Sequence, residues 1–135
     1  MGWRSAWQRW TGRGASAGWD PEQVDPVVVV SSFDDAESCS AALERAAESW
    51  TPGIPALLRH HLRIPAEHVE TVTALAAQDG YSPAGTAPAT ADLLLQRMQI
   101  LDALHCSQER SRMASLAQRH DGTALGWDAL QPPRT

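Results

Sequence analysis

No run of apolar residues in this 135-residue chain exceeds four, as in Val27 to Val30, whereas a membrane-spanning helix needs roughly 20. That absence excludes a transmembrane helix. Arg4, Arg9 and Arg13 stand near the start, but no apolar stretch of the about 7–15 residues required by a secretory signal accompanies them, and the expected location is cytoplasmic. Cysteine is nearly absent. Cys39 and Cys106 lie far apart without CxxC spacing, which excludes a disulfide scaffold and points to two thiols in or near a core. Lysine is missing altogether, all eleven basic residues being arginine.

The motifs of catalysis are missing too. The sequence contains no GxSxG, P-loop, GxGxxG or HExxH, each of which places a nucleophile, a phosphate cradle or a metal pair at a fixed spacing. No catalytic residue, cofactor or metal is assigned, and the protein is expected not to be an enzyme. Of the five histidines, His60 and His61 are adjacent on an expected strand and therefore point to opposite faces, which prevents joint ligation. His105 and Cys106 fall at an expected helix start, where the dipole lowers a thiol pKa, but no base stands at a recognisable distance.

What is present suits one small domain. Apolar residues make up 43% and charged residues 20%, near globular averages, and the length matches a single core. The net charge of −5 is unevenly spread: residues 1 to 19 carry three arginines and no acid, while residues 20 to 48 carry eight acids against Arg45 alone. Such a field repels nucleic acid and favours a basic protein partner, with Asp34, Asp35 and Glu37 as candidate contacts.

Gly12, Gly14, Gly18, Pro21 and Pro26 mark residues 1–25 as a tail and linker. A domain is expected over 26–130, followed by a disordered end at 131–135. Val27 to Phe33 reads as a short buried strand. Asp34 and Glu37 read as a capping box for a helix through about Ser49. Leu57 to Ile64 alternates with period two, Leu58, His60 and Leu62 on one face and Arg59, His61 and Arg63 on the other. A helix follows from Pro65 to Asp79-Gly80, then a short edge strand at Tyr81 stopped by Pro83, and a loop from Ser82 to Thr90. Asp92 to Leu101 reads as a long strand, Ser107 as the N-cap of a third helix ending at Asp121-Gly122, and Thr123 to Trp127 as the last strand. Two strand-helix units thus look alike, one ending Leu75-Ala76-Ala77-Gln78-Asp79-Gly80 and the other Leu116-Ala117-Gln118-Arg119-His120-Asp121-Gly122. A doubled βαβ predicts an α+β fold with a ferredoxin-like antiparallel sheet, extended by an N-terminal strand-helix unit.

In the tail, Trp3, Trp7 and Trp10 recur at i, i+4 and i+7 with Arg4 and Arg9 alongside. This is one face of an amphipathic helix that packs in a partner's groove, on a membrane interface or on its own domain.

Three segments resemble the ribonuclease E inhibitor family, of the regulator of ribonuclease E activity B type. They are Leu58-Arg59-His60-His61-Leu62 leading through a helix to Asp79-Gly80-Tyr81, the helix Gln108 to His120 with Leu116-Ala117 and a following glycine, and the closing Gly126-Trp127-Asp128. The likeness runs from about residue 59 to 128, and the strand-helix unit and tail before it depart from the family. The resemblance implies a non-catalytic acidic protein that binds the nuclease and restrains it. Two other functions are compatible with the residues: an accessory subunit docking on a larger or membrane-associated assembly through the Trp-rich tail, and, by fold analogy, a small-molecule sensor with a pocket at His60, Tyr81 and Arg97.

Overall fold

The computed structural model describes residues 18–84 and 91–134. The expected tail helix with Trp3, Trp7, Trp10, Arg4, Arg9 and Arg13, and the Gly/Pro/Ala/Thr part of the loop at 85–90, lie outside the described residues.

Alternation in the sequence becomes a sheet. The elements run β1 (Val27–Ser32), α1 (Cys39–Arg45), β2 (Pro55–Arg63), α2 (Val69–Ala77), β3 (Ser82–Pro83), β4 (Leu93–Ile100), α3 (Ala103–Gln118) and β5 (Thr123–Gln131). The chain is α+β: five strands in the order β1-β5-β2-β4-β3, every pairing antiparallel, with three α-helices among the described residues. All three helices pack on one face. Leu58, Trp127 and Ala129 meet Cys39, Ala42, Leu43 and Cys106 there. Leu62, Leu93 and Leu95 meet Val72, Ala76, Met113 and Leu116 further along the same face.

Among the described residues the opposite face carries no helix. Leu57, Met98 and Leu130 are covered there by Trp19, whose indole Nε1 donates to the Pro55 carbonyl at 2.8 Å. Trp19 and Val24 belong to the stretch that glycine and proline mark as linker. The buried Trp19 indole, with Val24 beside it, fixes the described part of that stretch to the sheet.

Element ends differ from expectation where side chains find stronger partners. The capping box of Asp34 and Glu37 does not form. Ser38 caps α1 instead, accepting from the Ala41 amide at 3.1 Å, and α1 stops at Arg45 rather than near Ser49. Glu37 turns to Arg45, in a charge-assisted fork with both contacts at 2.8 Å, which outweighs one amide bond. For α3 the cap is Asp102, not Ser107; Asp102 accepts from the His105 amide at 2.7 Å and starts the helix early. Pro65 leads into a 3-10 turn at Ala66–His68 before α2 begins. β5 runs to Gln131, four residues past Trp127, because Gln131 is buried with its amide bonded to Thr51 and Ile54. Beyond it, Arg134 donates to the carbonyls of Glu48 and Trp50.

Candidate functional site

β1 is not a buried strand. It is the outermost strand on its side of the sheet among the described residues, and Val27 and Val28 are 44% and 51% exposed. Four β-branched residues without alternation read as a strand buried on both faces, but only Val29, Val30 and Ser32 reach the interior. Opposite Leu130, Val28 faces the helix-free side. Phe33, 51% exposed just past the strand, sets its ring edge-on to His61 at 4.8 Å between centroids. Gly126 makes room for that ring, since a Cβ there would meet Phe33 at 2.6 Å.

The acidic turn follows directly. Asp35 is almost wholly exposed, its carboxylate 3.9 Å from Arg110. Asp34 accepts from the Ala36 amide at 2.9 Å. Glu37 is held by Arg45 first and by the Ser32 hydroxyl second, which drops its carboxyl to about 2. Arg45 also donates to the Ser31 carbonyl at 2.7 Å, closing the C-terminal half of the strand edge, while the valine half is open among the described residues. Of the expected partner contacts, Asp34, Asp35 and Glu37 thus sit together at the end of the exposed edge, Glu37 being engaged within the chain.

On the helix-free face Arg59 grips Asp128 with two bonds of 2.7 and 2.9 Å, and His61 Nε2 lies 3.1 Å from the same carboxylate. Burial pushes the Asp128 carboxyl upward, but His61 and Arg59 outweigh it and the net direction is down. As the alternation predicts, His60 points to the other side, 5.7 Å from the Tyr81 ring. Tyr81 donates to Glu109 at 2.6 Å, Arg97 stacks over the Tyr81 ring at 4.7 Å, and Arg97 and Arg112 approach Glu109 at 3.4 and 3.2 Å. Arg97 is further bonded to the Asp79 carbonyl and Gln99. Tyr81 and Arg97 therefore form a packed polar cluster tying α3 to β3 and β4.

Among the described residues His60 Nε2 and Trp127 Nε1 are buried without a partner, a state that costs ~1–3 kcal/mol per group. Burial first and Arg97 second lower the His60 imidazole to about 3. It is neutral in the fold, while the unfolded chain takes up a proton below about 6.5. Between those values the unfolded state binds more protons, so stability falls as the pH is lowered from 6.5 towards 3, by at most ~1.4 kcal/mol per pH unit from this group. Urea midpoints at pH 7, 6, 5 and 4 are expected to fall less steeply in His60→Leu; parallel profiles would show that His60 is not the group responsible.

The thiols behave as core residues. Cys39 and Cys106 are free and buried in one apolar cluster. Burial, and then the neighbouring Cys39, push the Cys106 thiol up. The expected lowering at a helix start is reversed because the helix begins at Ala103 and places Cys106 against the sheet. Among the described residues no group of three or more His, Cys, Asp or Glu side chains is arranged to hold a metal ion, and no helix is long and apolar enough to cross a membrane.

Comparison of the chain with family models, with curated proteins and with solved structures finds no match in any of the three. The ribonuclease E inhibitor resemblance accordingly rests on its three motifs, which fall mainly on β2 with α2, on α3 and on β5.

Proposed function

We propose that the protein is a non-catalytic regulator that acts by protein–protein contact, and that an extended, basic segment of its partner docks along the outer edge of β1. The observation that carries this reading is the exposure of Val27, Val28 and Phe33 along one strand edge. Strand edges offer unpaired main-chain groups and are blunted with charge where pairing is unwanted; the valine half of β1 has no charged residue. Strand addition would supply main-chain bonds and pockets for alternate side chains. The eight acids and one arginine of residues 20 to 48 favour a partner of positive charge and disfavour nucleic acid.

The order β5-β2-β4-β3 with α2 and α3 on one face supports a ferredoxin-like reading of the segment from β2 to β5, with β1 and α1 as the added unit. Within that reading, the motifs on β2, α3 and β5 favour an RNA-degrading enzyme as the partner that is restrained. Val28→Arg tests the edge. A half-exposed position tolerates the change within about 0.5 kcal/mol, so the melting temperature should hold within about 4 °C while binding to the RNA-degrading enzyme weakens at least about tenfold, a loss of ~1.4 kcal/mol. Equal binding by the variant would place the contact elsewhere, the Trp3, Trp7 and Trp10 segment being the next candidate.

A further inference from the structure

Arg45 reaches from α1 to the edge of β1. Its Nη2 donates to the Ser31 carbonyl at 2.7 Å, and the same guanidinium holds Glu37 through two further bonds of 2.8 Å. Glu37 also accepts from the Ser32 hydroxyl at 2.8 Å, so the arginine is braced against the strand whose carbonyl it covers. The Arg45 side chain is 53% exposed, which puts this contact at the surface of the sheet edge and not in the core. With the Glu37 carboxyl lowered to about 2 by Arg45 first and Ser32 second, the brace stays charged throughout the physiological pH range.

Symmetry makes that one contact count twice. When two copies pair antiparallel about a two-fold axis, residue i of one faces residue j of the other while j faces i. Pairing along the strand from Val27 to Ser31 in both copies sets Val27 of each opposite Ser31 of the other. An arginine on each Ser31 carbonyl therefore closes both ends of the symmetric ladder. What remains is the centre, where the register shifts between Val28 and Val30 and a bulge interrupts regular pairing. A foreign strand meets Arg45 at one end only. Charge acts in the same sense, because Asp25 precedes the strand and Asp34 and Asp35 follow it. Two copies bring acid to acid at each end, whereas a basic strand brings the opposite sign.

Taking the edge of β1 as the docking site proposed above, we propose that Arg45 is a guard that selects a foreign strand over a second copy of this chain. Sheet edges are protected against self-pairing by charged side chains. The valine half of β1 carries none, and Arg45 supplies one from α1. Once the guanidinium is gone, Val27 to Ser31 is an uncharged edge with its end carbonyl free, and a second copy becomes its occupant.

Sedimentation velocity of the full chain over a concentration series tests this. Arg45→Met keeps a long stem and a helix propensity close to that of arginine and removes the donors. Its dimer dissociation constant is expected to lie at least about tenfold below that of the wild type. Val28→Arg added to Arg45→Met is expected to restore wild-type behaviour, which aggregation of a misfolded chain would not do. Arg45→Lys, whose compact ammonium lacks the planar fork, covers the case of a methionine variant that does not fold and is expected to change in the same direction. Self-association equal to wild type in the folded Arg45 variants, or self-association that persists with Val28→Arg, overturns the proposal. The docking reading is decided separately, by partner binding of Val28→Arg with Arg45 in place, so failure of one is distinguishable from failure of the other.

Discussion

Trp127→Ala is expected to cost roughly 3–5 kcal/mol, the range of large aromatic truncations in cores. Trp127 is among the largest fully buried side chains, and it joins the cluster in which β1, β2 and β5 meet α1 and α3. Removing the indole opens a hole that both helices border. It also removes the unpaired Nε1, which returns part of the loss and keeps the expected value from exceeding that range. Thermal melts should register a drop of about 10 °C or more. An unchanged melting temperature would mean that the ring contributes little to the core and that the helices are held elsewhere.

Asp128→Ala should be the other large effect. The carboxylate receives two bonds from Arg59 and lies against His61, so its removal strands a guanidinium that is mostly covered. Breaking a sealed pair costs ~3–5 kcal/mol, but Arg59 retains contact with water, and ~2–4 kcal/mol is the appropriate expectation. Because the folded carboxyl titrates below its usual value of 3.8, its stabilisation is present above that pH and is lost as the pH falls through the depressed folded value. Asp128→Asn, which keeps the shape and one acceptor, should fall between wild type and alanine in urea denaturation at pH 7. Equal stability of all three would remove the cluster from the account of the helix-free face.

Residues with strict alternation made the sheet legible. Arg59, His61 and Arg63 against Leu58, His60 and Leu62 fixed both faces of β2. Helix starts were less legible, because a carboxylate such as Glu37 chooses between an amide and a guanidinium 8 residues away, and local spacing does not rank the two. Trp19 was hidden among Gly12, Gly14, Gly18 and Pro21, a composition that speaks only for backbone freedom. The edge position of β1 was illegible for a different reason. Sheet order depends on which strands meet, and Val27 to Val30 has the same apolar composition whether it lies inside or outside. Asp128 was visible as part of Gly126-Trp127-Asp128, but its pairing with Arg59 required knowing that β2 and β5 are neighbours.

RNA cleavage by the ribonuclease E of the protein's own host, measured with increasing amounts of the purified chain, tests the central claim most directly. Wild-type protein is expected to slow cleavage saturably, and Val28→Arg, folded and at equal concentration, is expected to have little effect. Cleavage that proceeds at an unchanged rate throughout the wild-type titration, or that Val28→Arg restrains equally, would contradict a regulator acting through the edge of β1.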